Sequence, residues 1–210
     1  MWGTQFAAEI FLPQVENELE IIVSEAEMEY QIIDLPREEW ENTIVPIGYT
    51  TGEYYDITVE QKADGFVMGM KKQNFPQPVT HTPQEYDFPD RLYEPHWEKV
   101  RACGIVQDGK LMAAVETSLE GWSNRLRVTE LWVDESLRGK GIGSALIKTA
   151  KERARREGCR ALILETQSCN TNAIGFYLHE GFTLIGFDAC AYSNNDLTRK
   201  EVRVELGWFL

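Results

Sequence analysis

The sequence predicts an α/β fold of the mixed α+β kind, in which helices cover a central sheet of mixed strand direction. Short strands separated by turns fill the region before residue 134, and an amphipathic helix follows a glycine-rich turn. After residue 157, strands alternate with a second helix. Antiparallel strands that give way to strand–helix–strand units form such a sheet. With 210 residues and 43% hydrophobic content, the chain is large enough for a substantial core, and we expect one domain.

Three strands are predicted in the first third of the chain from β-branched and aromatic residues between turns. They are Tyr30–Leu35, Tyr54–Glu60 and Gly65–Lys72. Leu19–Val23 is compatible with a further strand without a predicted place in the sheet, and Pro36–Trp40 begins a helix, because proline is favourable in a first helical turn. Residues 75–97 hold five of the eight prolines and show no period, so they are predicted as a long loop, and such loops are often functional.

The elements after Arg101 are more sharply defined by their periodicity. The predicted strands are Ala102–Gln107, Leu111–Ser118, Arg127–Val133, Arg160–Thr166, Phe182–Ala191 and Glu201–Leu206. Ser144–Arg156 has an apolar face at helical spacing and ends at Gly158, a residue that suits a left-handed helix cap. Thr171–His179 is a shorter helix, closed by Gly181.

The distribution of charge limits the partners of the chain. A net charge of −13 argues against nucleic acid, since a polyanion would be repelled. Residues 1–60 carry 14 acidic side chains and one basic one, whereas residues 134–160 carry 8 basic and 4 acidic ones. One short segment therefore tolerates a polyanion, and the rest of the surface attracts cations.

Other features exclude metal and membrane classes. The four cysteines contain no C-x-x-C pair, and with three scattered histidines they show no metal-ligand spacing, so no metal is expected. No run approaches the roughly 18 apolar residues that a membrane span requires. The N-terminus lacks a basic patch followed by an apolar stretch, so we expect no secretory signal and a cytoplasmic protein with reduced thiols.

The most informative segment runs from Leu131 to Ser144, where a strand ends and a glycine-rich turn opens directly into a helix. The first amides of a helix have no intrahelical partner and, with the helix dipole, bind phosphate. Arg138 and Lys140 add positive charge at the same end. The spacing matches neither the dinucleotide fingerprint nor the Walker pattern, so neither nicotinamide nor ATP is favoured.

Three motifs in order resemble those of the GNAT acetyltransferase superfamily. Arg138-x-x-Gly141-x-Gly143 is similar to its pyrophosphate-binding pattern, and Leu131-Trp132-Val133 stands where its cofactor-binding strand lies. The stretch from Asn170 to Phe182 resembles its second helix motif, N-x-x-A-x-x-F-Y-x-x-x-G-F. The resemblance covers roughly residues 101–210, with the cofactor motifs in 127–182. We therefore expect an acidic N-terminal extension over 1–27 and an acetyltransferase domain over 28–210.

Within the superfamily, the chain resembles the streptothricin acetyltransferases. The shared features are Leu164-Glu165-Thr166-Gln167, Gly186-Phe187-Asp188, and Glu116 followed by Trp122 and Asn124. The resemblance implies acetyl-CoA as cosubstrate, and two splayed parallel strands, Glu130–Val133 and Leu162–Thr166, that hold its pantetheine arm. The implied cofactor-binding residues are Leu131, Trp132, Val133, Arg138, Gly139, Lys140, Gly141, Ile142, Gly143, Ser144, Asn170, Asn172 and Tyr177.

Acyl transfer from a thioester to an amine needs a general base and an acid for the leaving thiolate. The resemblance implies that Tyr177 is the acid, and the alternative for this residue is an aromatic core position on a short helix. Glu130, Glu116 and Glu165 are all candidates for the base, with Glu130 ranked first, and each is compatible with a structural role. Asp188 and the acidic N-terminal half are candidates for binding a cationic acceptor.

The function that these observations favour is transfer of acetyl from acetyl-CoA to an amine of a basic small molecule, such as a streptothricin-like antibiotic. Two alternatives remain open at this point, acetylation of a protein lysine or N-terminus, and an acyl-CoA-binding sensor without turnover. The prolines and aromatics of residues 75–97 favour a covered pocket over an open peptide groove. The resemblance also implies that a homodimer is possible.

Overall fold

The computed structural model describes residues 21–25, 28–85 and 89–210, and its centre is an eight-stranded sheet. In chain order the elements are β1 (Ile21–Glu25), β2 (Met28–Asp34), α1 (Arg37–Trp40), β3 (Tyr49–Lys62), β4 (Gly65–His81), β5 (Arg101–Gln107), β6 (Lys110–Glu120), β7 (Arg125–Val133), a 3₁₀ turn (Glu135–Leu137), α2 (Ile142–Arg156), β8 (Ala161–Gln167), α3 (Thr171–His179), β9 (Thr183–Asp188), α4 (Asp196–Arg199) and β10 (Arg203–Phe209). The sheet order is β1-β2-β5-β6-β7-β8-β10-β9, and β3 pairs with β4 as a separate ribbon.

The predicted α/β class with a mixed sheet is confirmed. Neighbouring strands of the large sheet are antiparallel except β7 and β8, which are parallel and joined through α2. The strand considered for Leu19–Val23 is present in part, since β1 begins at Ile21. Residues 1–20, 26 and 27 of the predicted extension lie outside the described residues. No helix in the described ranges is long and apolar enough to cross a membrane.

The prediction of a loop over residues 75–97 is wrong in its first part, because β4 continues to His81. Thr51 pairs with Val79 and Glu53 pairs with Asn74, so residues 75–78 fall in a bulge of the ladder. That bulge contains Pro76 and Pro78, whose missing N–H groups are tolerated at such an irregularity. The prolines therefore interrupt the ribbon without ending it.

The large sheet has two covered faces. One cluster of buried side chains packs α2 and α3 against it, and includes Leu146, Ile147, Tyr177, Leu162 and Leu164. A second cluster covers the other face with residues of the segments 35–45 and 92–102, and includes Leu35, Val45, Leu92, Ala114 and Trp132. We call these the helix face and the second face. Because side chains alternate along a strand, neighbouring residues of β7 serve opposite faces.

A gap opens between the two parallel strands. β7 pairs with β8 only from Arg125 to Arg127, whereas β8 remains paired with β10 along its whole length. The later part of β7 therefore diverges from β8, as the expected splay requires. The amide of Asp134 donates to Met112 O on the β6 side, and since bonding direction alternates, the backbone groups of Leu131 and Val133 point away from β6 into the gap.

Candidate active site

The turn after β7 has the geometry of a phosphate-binding loop. Gly139 and Gly141 adopt φ of 78° and 76°, a left-handed conformation that favours glycine. A Cβ at Gly141 would meet nothing within 4 Å, so this side of the loop faces open space. The amide of Ala145 bonds to Gly141 O, and the amides of Ile142, Gly143 and Ser144 precede the first helical hydrogen bond. These amides are therefore available to an anion.

Two cations are fixed beside this loop. Arg138 is exposed and its Nε donates to Val133 O at 3.1 Å, which holds the guanidinium against the end of β7. Lys140 Nζ donates to the hydroxyl of Tyr30 at 3.2 Å and lies 5.5 Å from the centre of its ring. Both positive charges therefore stand at the helix end that already attracts a phosphate.

Gly143 and Ser144 contact α3. A Cβ at Gly143 would lie 3.3 Å from Cζ of Phe176, so the missing side chain makes room for an aromatic ring. Ser144 Oγ donates to Glu180 at 2.6 Å. Both residues therefore connect α2 to α3, because Gly143 leaves room for the Phe176 ring and Ser144 bonds to Glu180. Only their backbone amides face the loop.

Asn170 caps α3, because its Oδ1 accepts from the amide of Ala173 at 3.2 Å. The cap fixes the direction of the side chain at the end of β8, where the gap is wide. Asn172 is exposed on the first turn of α3. Both asparagines therefore lie at the edge of the gap, with the Asn170 amide nitrogen still able to donate.

Tyr177 lies on the helix face with 8% of its surface exposed. Its ring contacts Phe176 and Phe182, with centroid distances of 5.3 and 5.8 Å. No hydrogen bond to its hydroxyl is found within the described part of the chain. Burial raises the pKa of Tyr177, and the negative charge of Glu130 raises it further, so the phenol stays protonated at neutral pH. Glu130 and Tyr177 therefore interact electrostatically across the gap.

Glu130 follows a bulge in β7 and opens onto a cavity on the second face. Glu116 pairs with Glu130 and Thr117 pairs with Val128, so Thr129 is the extra residue that redirects the strand. The cavity has a volume of about 450 Å³, and we call it the acidic cavity; it is lined by Pro89, Asp90, Arg91, Glu94, His96, Trp97, Arg127, Val128, Thr129, Glu130 and Glu165.

The pKa of Glu130 is raised well above its ordinary value. Burial is the largest cause, followed by the charges of Asp90, Glu116, Glu94 and Glu165. Among the described residues, no donor bonds to the Glu130 carboxylate. A carboxylate in this state binds a proton more strongly than an exposed glutamate does, which suits a general base.

The other two predicted bases have different surroundings. Glu116 is fully buried, with its carboxylate accepting from the amide of Tyr93 at 2.5 Å and from Thr129 Oγ1 at 2.7 Å. Burial raises its pKa, but both oxygens are engaged. Glu165 lies at the rim of the acidic cavity, 3.1 Å from Arg127 and 3.6 Å from Arg203. The structure thus brings Glu130 and Glu165 to the cavity and places Glu116 beneath it.

Sequence analysis missed Asp90 and Glu94, which line the acidic cavity from the segment 89–97. Two acids among the aromatics and prolines of this segment were the only available signal. None of the described acids that were predicted to bind the acceptor lines this cavity. Asp188 is 3.6 Å from Arg203 and does not line the cavity, and Asp56 is 2.7 Å from Lys200.

A group of metal-ligand type was also missed, since the sequence places its members far apart. His81, Glu85 and Glu201 bring ligand atoms within 4.8 Å of one another at the base of the β3–β4 ribbon. Arg199 lies 2.8 Å from Glu201 and 3.9 Å from Glu85. The guanidinium already neutralises these carboxylates, so the group is an ion-pair network.

Comparisons with known proteins agree with this geometry. The chain is 36% identical over 85 residues to a streptothricin acetyltransferase of Streptomyces lavendulae, covering 40% of this chain and 45% of that protein. It is 31% identical over 109 residues to a streptothricin acetyltransferase of Escherichia coli, covering 51% and 62%. The matches therefore span about half the length of these relatives.

The crystal structure of a nourseothricin acetyltransferase superposes with a TM-score of 0.66 and 29% identity, covering 86% of this chain and 98% of that one. The sequence pattern described as the acetyltransferase (GNAT) family matches residues 66–182, which is more than half of the chain. That range includes the glycine-rich loop, both splayed strands and α3. The chain therefore belongs to the GNAT acetyltransferase family.

Proposed function

We propose that this protein transfers an acetyl group from acetyl-CoA to an amine of a basic small molecule. The observation that carries the proposal is the acidic cavity, which presents the unbonded carboxylate of Glu130 on one side of the gap while Tyr177 lies on the other. The relatives named for streptothricin and nourseothricin support an antibiotic-like acceptor. All four cysteines are free thiols, which supports a cytoplasmic location.

The residues beside the gap fit acetyl-CoA. The amides of Ile142, Gly143 and Ser144 would bind the pyrophosphate together with Arg138 and Lys140. The backbone of Leu131 and Val133 would pair with the pantetheine arm, and an N–H there would polarise the thioester carbonyl. Trp132 contributes by packing, since its side chain is buried on the second face.

The chemistry follows from the proton affinities of two groups. An alkylamine with a pKa of about 10.4 arrives protonated and must lose a proton before it attacks. Glu130, whose pKa is raised, accepts that proton directly or through a water. The neutral nitrogen adds to the thioester carbon, and the tetrahedral oxyanion is held by the backbone N–H. The nitrogen becomes positively charged on addition and releases one proton to water as the C–S bond breaks. Tyr177 donates a proton to the departing thiolate and regains one from water, so coenzyme A leaves as the thiol.

Of the three candidate bases, Glu130 is favoured by its surroundings. Glu116 holds the amide of Tyr93 and the hydroxyl of Thr129, and so supports the wall of the acidic cavity and the bulge that aims Glu130. Glu165 is neutralised by two arginines at the rim. We therefore assign Glu116 a positioning role and Glu165 a place in the electrostatic boundary of the site.

The alternatives are less well supported by the same features. The segment 89–97 walls the acidic cavity, and a volume of about 450 Å³ is that of a small-molecule pocket. A sensor without turnover has no use for an unneutralised carboxylate beside the thioester, since such a group costs stability.

Release of coenzyme A thiol from acetyl-CoA across a panel of amines and lysine peptides tests the proposal. We expect release with basic small molecules and none with peptides, and we expect Glu130→Gln to abolish it. Release with peptides alone would assign the protein to protein acetylation. Acetyl-CoA binding without release on any acceptor would identify a sensor.

A further inference from the structure

The acidic cavity holds more negative charge than one reacting amine requires. Asp90, Glu94 and Glu130 all line it, and no hydrogen bond or ion pair of their carboxylates is found in the described ranges. Two arginines also line the cavity, and each has a bond to another group. Arg127 bonds to Glu120 at 2.7 Å and to Glu165 at 3.1 Å, and Arg91 donates to the backbone of Asn42 at 3.3 Å.

These carboxylates repel one another. Partial withdrawal of the carboxylate from water raises the pKa of Asp90, although the residue as a whole is exposed, and the charge of Glu94 raises it further. The same two acids contribute to the raised pKa of Glu130, whose carboxyl group is withdrawn from water although part of the residue is exposed. Carboxylates that repel one another destabilise the folded chain, so a positively charged ligand would be attracted to the same place.

The reacting amine cannot supply this positive charge throughout the reaction. It must be neutral when it attacks the thioester, and it becomes an uncharged amide in the product. Once its proton moves to Glu130, that carboxylate is neutralised, whereas Asp90 and Glu94 keep their charges. A separate cation is needed to offset them.

We propose that the acceptor carries a second, permanently protonated ammonium or guanidinium group, and that Asp90 and Glu94 hold this group while the reacting amine faces Glu130. The inference rests on the proposed function and specifies its substrate class. Asp90 and Glu94 determine specificity, because they select molecules with two positive charges over those with one. A cavity of about 450 Å³ has room for a short aliphatic chain that joins the two groups.

Cadaverine and pentylamine form a matched pair of probes, since they share a five-carbon chain and differ by one ammonium group. For the wild-type protein with acetyl-CoA, we expect kcat/KM for cadaverine to exceed that for pentylamine by about tenfold or more. Asp90→Asn and Glu94→Gln should each remove most of this preference, because they should lower kcat/KM for cadaverine much more than kcat/KM for pentylamine. Glu38→Gln, which removes the same charge from exposed α1, is the matched control and should change neither.

Equal turnover of the two amines, or an equal loss on both in Asp90→Asn and Glu94→Gln, would overturn the inference. Calorimetric binding of cadaverine to the protein saturated with coenzyme A gives a readout that does not depend on turnover. Weaker binding in Asp90→Asn and Glu94→Gln supports the inference even if no amine is acetylated, an outcome that would refute the proposed function alone. Binding that is unchanged in both variants would refute the inference.

Discussion

Glu130 and Tyr177 lie on opposite faces of the sheet and affect each other through the gap between β7 and β8. The pKa of each is raised by burial first, and the negative charge of Glu130 adds to the effect on Tyr177. A base with raised proton affinity and an acid that stays protonated at neutral pH are the states that amine deprotonation and thiolate protonation require. The same desolvation means that both residues lower the stability of the folded chain.

Replacing Tyr177 by phenylalanine should slow acetyl transfer by about 10²-fold, at the low end of general acid catalysis, because a coenzyme A thiolate is a fair leaving group. The ring and its contacts remain, so the melting temperature and acetyl-CoA affinity should stay near wild type. Single-turnover rates and melting curves on one preparation measure both effects, with Tyr55→Phe on β3 as the control. A normal rate of acetyl transfer would mean that Tyr177 serves only in packing.

Glu130 should give activity an acid limb at a pH above the ordinary range of glutamate, since the deprotonated form is the base and its pKa is raised.

The stability of the fold should depend on pH in the opposite direction. A raised folded pKa stabilises the protonated form, and stability falls as pH rises from the unfolded pKa through the folded one. Glu130→Gln should therefore be inactive yet melt higher than wild type at about pH 8, with the difference vanishing near about pH 4. An inactive variant that melts lower at both pH values contradicts this.

At the scale of elements, the segment from β8 into α3 is held by the β3–β4 ribbon. The Tyr49 hydroxyl donates to Gln167 and lies 3.2 Å from Cys169 Sγ, and the amide of Tyr55 bonds to Ser168 O at 2.9 Å. Ser168 also bonds to Val202 on the strand side. The ribbon therefore fixes the place where Asn170 caps α3, and with it the direction in which Tyr177 enters the gap.

The two glycines at the start of α2 should respond differently to alanine. Gly141→Ala places a side chain at φ 76°, which costs about 1–2 kcal/mol, and extends a methyl into the open side of the loop, so acetyl-CoA affinity should fall at least about tenfold. Gly143→Ala instead meets Phe176, so its main effect should be a lower melting temperature.

Calorimetry and thermal unfolding of both variants separate these effects. Phe176→Leu shortens the ring and should restore the melting temperature when combined with Gly143→Ala, but not with Gly141→Ala. Equal loss of affinity in both single variants, with unchanged stability, would mean that both methyls stand against the phosphates.

The elements and the cofactor loop could be predicted from sequence because their signals are local. The glycines from 139 to 143 and the apolar period of α2 lie within one short stretch, and every predicted strand after Arg101 is present. The roles of Gly143 and Glu116 could not be predicted, because Phe176 and Tyr93 are distant in the chain. The acids of the segment 89–97 join Glu130 only through tertiary packing, which no local pattern reveals.

At the scale of the whole molecule, the net charge of −13 arises largely from acids outside the cavity proposed for the acceptor. The acidic excess of residues 1–60 suggested that this half attracts the acceptor. In the structure, the lining of the acidic cavity comes from residues 89–97, β7 and β8. The described acids of residues 1–60 are therefore separate from the acids of the cavity proposed for the acceptor.

Salt dependence distinguishes these two contributions. Raising ionic strength from about 0.1 M to about 1 M shortens the Debye length from about 10 Å to about 3 Å, so the KM of a doubly charged amine should rise severalfold. Asp90→Asn combined with Glu94→Gln should flatten this rise, whereas Glu38→Gln combined with Glu39→Gln on α1 should not. A flattened profile in the α1 variant would assign attraction of the acceptor to the N-terminal half.

In the proposed arrangement, the gap between β7 and β8 also gives the two reactants separate entrances. The phosphate loop begins α2 on the helix face, whereas the acidic cavity opens on the second face. Neither reactant has to leave before the other arrives, and no side chain has to carry the acetyl group between two half-reactions. We expect sequential kinetics with intersecting double-reciprocal lines and no fixed order of addition, and each product can depart by the side through which its precursor came.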